Sequence, residues 1–540
     1  MVLAVIPARG GSKGIPRKNV RLMNGKPLLY YSIKNALSSS YIDDVVVSSD
    51  DEEILSIASM YGANTMNRDS ALAQDAVTLD PVIYDASLRM EEQTSKKYDI
   101  VVTLQATSPL LSVQTLDAAL ADFITKDYDT YISAINQPHL SWTSTNGIYT
   151  PNYKERLNRQ QLPPNYLETG AFLITRRNCM STSTRIGSKV SVYEMPEQEA
   201  IDIDTYADWI VCEQTLSRKK ILFRVDGNHT LGMGHIYRCL TLAYNLTGHD
   251  LLFVTTADTQ GFQKLMNSHM HVQPIHTNDD FIKILLSWKP DIVVHDCLNT
   301  DDCYMQTLKS YVPRVITLED IGSGANFADA TINALYEDDS KGNQYYYGEN
   351  YVCLKDEFLI AKPTDYHSIV SQVTVLFGGS DPGNYTSRIY NLAKKWHTQY
   401  PDIRFHFILG AGYDYNQYPL YSDKTYNIHV SRDVKRISDA LSHSDLALTS
   451  QGRTVYELAS LGIPAIVLAQ NEREQKHTFA QMQNGFFNLG LGTQVTDETI
   501  NKTFQFLVDT PQLRLEMRNL MLQHDLRKGI KRVIQIILGE

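Results

Sequence analysis

A short apolar run that breaks into a glycine loop recurs along this chain, and it restricts the fold more than any other feature. Val2 to Ile6 reads as a buried parallel strand. The loop after it, Ala8-Arg9-Gly10-Gly11-Ser12-Lys13-Gly14, leads to Arg17-Lys18-Asn19 and so gathers three glycines and four cations. Glycine lets backbone N–H groups approach an anion closely, and the cations neutralise it, so the design suits phosphate. It is neither the GxxxxGK[ST] loop nor GxGxxG. The second occurrence is Ile221-Leu-Phe-Arg224-Val, followed by Asp226-Gly227-Asn228 and, after Gly232-Met233-Gly234, by His235 at the start of a helical segment. Units of this kind build parallel sheets that bind ligands at the carboxyl ends of their strands.

Apolar runs alternate with amphipathic segments along the whole chain. Leu28–Leu37 and Glu52–Tyr61 read as helices, and Asp44–Ser48 and Ile100–Leu104 as strands. The strand-first pattern restarts after the basic cluster Arg218-Lys219-Lys220, which places a boundary there, and a second linker falls near Lys362-Pro-Thr-Asp. The expected class is α/β: a Rossmann-like sheet over 1–218, then two lobes over 219–365 and 366–540. The 540 residues exceed one ordinary core. A net charge of −11 argues against a nucleic-acid binder. Six scattered cysteines without a CxxC pair suit reduced thiols. No run is long enough to span a bilayer, and the first is too short for a secretory signal. The expectation is a cytoplasmic enzyme with small-molecule substrates and neither nucleic acid nor membrane as partner.

Pro7-Ala-Arg-Gly-Gly-Ser-Lys-Gly-Ile-Pro-Arg-Lys-Asn19 resembles the signature of CMP-sialic acid synthetases, the acylneuraminate cytidylyltransferases. Further matches are Val47-Ser-Ser-Asp50, Asn67-Arg68-Asp69, Leu72-Ala-Gln-Asp75, Leu104-Gln105-Ala-Thr107-Ser108-Pro-Leu110, Arg159-Gln160-Gln-Leu-Pro163 and Ile201-Asp202-Ile-Asp204. The resemblance implies that Arg9, Gly10, Gly11, Ser12, Lys18, Asn19 and Arg68 hold CTP. It assigns Gln105, Thr107, Ser108, Arg159 and Gln160 to a nonulosonic acid, and Asp202 and Asp204 to catalysis as ligands of Mg²⁺. Were Asp202 and Asp204 on a strand end, both carboxylates would share one face, a costly arrangement without a cation. A solvated acidic turn ahead of a helix is the other reading. Ala106 and Leu111 depart from the family pattern, and no Lys near Trp142 or Arg near Leu167 supplies a cation. A less charged pocket fits a di-N-acylated sugar acid of pseudaminic or legionaminic type. Relatives dimerise through a loop near the sugar pocket, which implies a homo-oligomer, a dimer through the first domain.

The stretch from Phe223 to Leu240 resembles the UDP-sugar hydrolases of pseudaminic acid biosynthesis and their spore coat polysaccharide relatives, enzymes of GT-B architecture. Val294-His295-Asp296-Cys297, Leu318-Glu319-Asp320, Phe377-Gly378-Gly379-Ser380-Asp381 and Thr449-Ser450-Gln-Gly452-Arg453-Thr454-Val-Tyr-Glu457 extend the match. It implies His235 as the base that activates water. Arg224 and Asp226 would orient it, and Gly234, Gly379, Ser450, Gly452, Thr454 and Glu457 would hold a UDP-sugar. The helix opening at Gly452–Thr454 offers N–H groups to a diphosphate. A glycosyltransferase or a silent sugar-nucleotide-binding module are the alternatives for this half.

Overall fold

The first apolar run becomes the strand Val2–Pro7 in the middle of a seven-stranded sheet. A computed structural model of the protein describes all residues except 12, 13, 75, 229–231, 338–341, 380, 411 and 433. The chain separates into two compact units, Met1–Arg218 and Lys219–Glu540.

In the first unit the strand order is Val190–Glu194, Thr130–Asn136, Tyr166–Arg176, Ile100–Leu104, Val2–Pro7, Asp44–Ser49, Asn64–Asn67. All pairs are parallel except those made by Tyr166–Arg176, which runs against both neighbours. The chain leaves Val2–Pro7 for the strands on one side and returns to Ile100–Leu104 on the other. The loops after these two strands therefore diverge and leave a crevice at their carboxyl ends. The helix Glu52–Met60 starts where Asp51 accepts the N–H groups of Glu53 and Ile54, and Tyr206–Leu216 starts at a Thr205/Asp208 capping box.

The second unit repeats this logic in two sheets. One has the order Val272–Ile275, Asp250–Thr256, Lys220–Val225, Ile292–Asp296, Arg314–Leu318, Ala330–Asn333, Tyr345–Tyr347. The other has the order Ile428–Arg432, Arg404–Leu409, Gln372–Leu376, Leu446–Ser450, Ala465–Ala469, Phe486–Leu491. Every pair in both is parallel. The two-lobed α/β reading thus describes this unit, with switch points between Lys220–Val225 and Ile292–Asp296, and between Gln372–Leu376 and Leu446–Ser450. An apolar cluster joins Leu335, Tyr336, Leu354 and Phe358 to Leu376, Val455, Tyr456 and Phe479 across the seam.

One element departs from the expected lobe boundaries. The helix Gly529–Leu538 lies against the first lobe, where Val533 and Ile537 share a core with Ile221, Phe223 and Val294. Arg314, at the start of its strand, donates to the carbonyls of Ile536 (2.7 Å) and Ile537 (3.1 Å) and so caps that helix from the lobe it completes.

Candidate active sites

The cleft of the first unit opens at its switch point, and Arg9, Lys18, Arg68, Gln105, Thr107 and Asp204 line it. Two of its glycines, Gly10 and Gly14, stand where nothing larger fits. A Cβ on Gly10 would stand 2.6 Å from Asp51 Oδ2, and one on Gly14 would stand 2.8 Å from the carbonyl of Asp204. Gly10 N–H donates to Asp50 Oδ1 at 3.1 Å, and Asn19 Nδ2 donates to the Arg9 carbonyl at 3.0 Å, which sets the loop. Lys18 Nζ donates to the Ile203 carbonyl at 2.5 Å and lies 3.7 Å from Asp204 Oδ1. Arg68 is buried and donates to Ser48 through Nε (3.2 Å to Oγ) and Nη2 (2.6 Å to the carbonyl). Burial lowers its pKa, against the raising effect of Asp50. Gly11 has open space where a side chain would stand, and Ser12 falls outside the described residues.

The expected sugar contacts divide. Gln105 and Thr107 line the cleft, while Ser108 is buried with no hydrogen-bond partner on its Oγ among the described residues. Arg159 and Gln160 do not reach it; they form an exposed turn, Arg159–Gln161, on an excursion between Asn136 and Tyr166. That excursion pairs with itself as the hairpin Trp142–Thr145/Ile148–Pro151, all of it exposed, so nothing draws the turn onto the sheet. The Asp202–Asp204 segment is irregular backbone rather than a strand end. It is held by Ile203, buried, whose N–H donates to the Thr107 carbonyl at 2.9 Å.

In the second unit His235 is the second residue of the helix Gly234–Tyr244, and its Nδ1 lies 2.6 Å from Asp296 Oδ1 at the end of strand Ile292–Asp296. Asp296 is wholly buried, and Arg238 grips both of its oxygens, Nε to Oδ2 at 2.8 Å. Burial alone would raise this carboxyl, but Arg238 and then His235 pull it well below the usual carboxylate range. An ionised carboxylate only accepts, so it keeps the imidazole proton on Nδ1 and leaves Nε2 as the acceptor. Arg238 also pairs with Glu319, whose Oε1 accepts from Arg453 Nη2 at 2.7 Å.

Arg224 and Asp226 do not orient His235. Arg224 lies over Phe281 on the opposite face of the sheet, and Asp226 accepts from Arg224 Nη2 and the Thr256 N–H, both at 2.8 Å. Burial raises the Asp226 carboxyl, yet Arg224 and those hydrogen bonds bring it down to about 2. On the other lobe Gly378 takes φ +78°, and a Cβ on Gly410 would stand 2.6 Å from the Cα of Gly379, so this turn tolerates no side chain there. Ser450 ends its strand, Gly452 follows in the loop and Thr454 opens the helix Thr454–Leu461. Glu457, expected at a ribose, carries Lys355 Nζ on Oε1 at 3.2 Å.

Residues 3–220 match the family described as Cytidylyltransferase. The pseudaminic acid cytidylyltransferase of Campylobacter jejuni (serotype O:2) is 37% identical over 232 residues, which cover 42% of this chain and 97% of that enzyme. The chain belongs to the cytidylyltransferase family. A Helicobacter pylori protein, named pseudaminic acid cytidylyltransferase and UDP-2,4-diacetamido-2,4,6-trideoxy-beta-L-altropyranose hydrolase, is 25% identical over 532 residues and 94% of both chains. An uncharacterized protein of Methanocaldococcus jannaschii is 28% identical over 281 residues, which span 48% of this chain but only 57% of that protein's length. The N-acylneuraminate cytidylyltransferase B of Danio rerio is likewise spanned over 65% of its length, at 29% identity and 50% of this chain.

In the cytidylyltransferase unit the chemistry of Asp202 and Asp204 fits Mg²⁺. Asp202 Oδ1 is buried without a hydrogen-bond partner among the described residues, and burial followed by the charge of Asp204 pushes the carboxyl up. An uncompensated carboxylate of this kind favours a cation. Mg²⁺ binds through one or two carboxylates and completes its shell with substrate phosphates and water. It therefore needs no three-donor protein cluster, and the described residues form none. Gly170-Ala171 resembles the family's stretch that lines the sugar pocket, and the structure gives the physical reason for that glycine. Gly170 (φ +70°) stands beside Gln105 and Asp202, where a Cβ would come within 3.0 Å of Gln105 Nε2. In the second unit the chain Asp296–Arg238–Glu319 is spread over three distant segments, and the spacing of Arg238 three residues after His235, on one helix face, is its one local sign.

Proposed function

We propose that this cytidylyltransferase is bifunctional, joining a pseudaminic-type nonulosonic acid to CMP in its first unit and hydrolysing a UDP-2,4-diacylamido-trideoxyhexose in its second. In the first reaction the anomeric hydroxyl attacks the α-phosphate of CTP, the bond to the β-phosphate oxygen breaks, and pyrophosphate leaves. Arg9, Lys18 and Arg68 supply the positive field, and Gln105 is placed to hold the sugar acid; the reaction asks for positioning and charge stabilisation rather than a protein nucleophile. Asp202 and Asp204 would hold Mg²⁺, which when bound neutralises phosphate charge. The exposed apolar hairpin, with Trp142, Ile148 and Tyr149, supports a dimer through this unit.

The single observation that carries the second reaction is the His235–Asp296 pair at 2.6 Å. With its proton held on Nδ1, His235 takes a proton from water through Nε2. The water oxygen bonds to C1, the C1–O bond breaks, and UDP departs with the electron pair. The pairing of both reactions in the Helicobacter protein supports reading the two units together.

The test incubates the whole protein with a UDP-2,4-diacetamido-trideoxyhexose and no acceptor, with His235→Ala beside it, and follows UDP and free sugar by NMR. Parallel assays with CTP, MgCl₂ and pseudaminic, legionaminic or N-acetylneuraminic acid follow pyrophosphate. UDP release that disappears in the variant is the expected result. UDP that stays attached without an acceptor overturns the hydrolase reading, and pyrophosphate from N-acetylneuraminic acid alone overturns the choice of sugar.

A further inference from the structure

Arg453 stands where the nucleotide loop of one lobe meets the helix that carries His235. It precedes the helix Thr454–Leu461 in the Ser450–Gln451–Gly452 loop, and a Cβ on Gly234, the residue before His235, would lie 3.9 Å from its Nε. Its Nη2 is held by Glu319 Oε1 at 2.7 Å. Glu319 is buried, and its backbone takes φ +54°, a left-handed conformation that is strained for a non-glycine residue. It is kept there by its N–H to the Ile332 carbonyl (2.9 Å) and by Arg473 Nη2 on its own carbonyl (3.3 Å). Such strain persists where the surroundings over-determine a position, and here it aims a carboxylate at two guanidinium groups, those of Arg238 and Arg453.

The two arginines differ in what they have left to offer. Arg238 is fully enclosed between Asp296 and Glu319, whereas the Arg453 side chain is 30% exposed, and among the described residues only its Nη2 is engaged. We propose that Arg453 grips the phosphate bonded to the sugar and takes up the charge that forms on it as UDP leaves, with Glu319 as the positioning residue that holds it ready. This rests on the hydrolase reading for His235. If His235 directs water at C1, the phosphate attached to C1 lies between that carbon and the nucleotide loop, and Arg453 is the cation at that junction. The step balances without another reactant: water bonds to C1, its proton goes to His235 Nε2, the C1–O bond breaks, and the oxygen left on the β-phosphate carries the new charge. A guanidinium is suited to that charge because it presents several donors in one plane.

The test compares affinities for UDP and UMP by calorimetry in the whole protein, for wild type, Arg453→Ala, Arg453→Lys and Glu319→Gln. Any visit of either nucleotide to the first unit's cleft is common to all four. Arg453→Ala is expected to weaken UDP about 10- to 100-fold while UMP changes less than about twofold, since only UDP has the β-phosphate. Arg453→Lys recovers part of the UDP affinity. In turnover Arg453→Ala lowers kcat about 10²- to 10³-fold, as loss of a leaving-group stabiliser does, and Glu319→Gln lowers kcat more than it changes KM. Unchanged UDP affinity in Arg453→Ala overturns the proposal, and so does an equal loss of UDP and UMP, which would mark a structural residue. If the wild type releases no UDP from any UDP-sugar, the hydrolase reading falls, and the UDP–UMP comparison still decides whether Arg453 grips that phosphate.

Discussion

A histidine next to a buried aspartate that is itself neutralised by an arginine is a proton acceptor with its orientation already fixed. Asp296 accepts from His235 and Arg238 at once, so replacing it by Asn removes the charge that selects the Nδ1 proton and sets an amide against a guanidinium. Asp296→Asn is expected to lower UDP release by about 10²-fold or more without abolishing UDP binding, checked by steady-state kinetics beside calorimetry. At the other site Asp202 keeps a buried oxygen without a partner among the described residues, and its carboxyl is pushed up. Asp202→Asn should therefore melt higher than wild type at pH 7 without magnesium. Titrating MgCl₂ into the CTP-loaded proteins should reverse the order, with metal affinity at least about tenfold weaker in the variant.

At the scale of elements, each sheet places its candidate site residues mainly on the loops after the two strands that flank its switch point. This much was legible from short apolar runs ending in glycine, histidine or aspartate. Less legible were features made by contact between distant segments. Gly170-Ala171 stood out by resemblance, but the reason for the glycine, its approach to Gln105 and its φ of +70°, is such a contact. Gly170→Ala should cost about 1–2 kcal/mol in urea unfolding and raise KM for the sugar acid several-fold by displacing Gln105. For Asp202–Asp204 the sequence left a strand end and an acidic turn ahead of a helix both open, because i, i+2 carboxylates look alike in the two; the contact of Ile203 with Thr107 sets the irregular course that leads into Tyr206–Leu216. Arg224 and Asp226 looked like partners of His235 because they are close in sequence, but alternation along the strand sends Arg224 to the other face. Arg514 had no motif at all. It is buried and donates to the carbonyls of Leu507 (2.5 Å) and Val508 (2.7 Å) at the end of helix Asp497–Asp509, and to that of Ser368 (2.6 Å). Arg514→Leu strands these acceptors and should cost about 2–4 kcal/mol in urea unfolding.

For the whole molecule the two units differ in their response to acid. His139 is the only histidine before residue 219, whereas among the described residues the second unit buries three imidazoles with lowered pKa. Burial, with Arg224, lowers His295 to about 3; burial lowers His406 and His477 to about 4. The unfolded chain binds these protons near 6.5 and the folded one does not, so their contribution is complete above pH 6.5 and is lost as pH falls towards 4. Melting of the fragments 1–218 and 219–540 between pH 7 and 4.5 should show the second losing stability steadily and the first holding until its carboxylates begin to protonate. The helix Gly529–Leu538 has a further consequence, in the order of synthesis. The strand Lys220–Val225 leaves the ribosome early, yet the helix that closes its core is made only after the whole second sheet. The lobe that carries His235 lacks part of its core while the second sheet is made, and a frameshift or stop codon ahead of Gly529 would unsettle that lobe rather than the sheet made just before it.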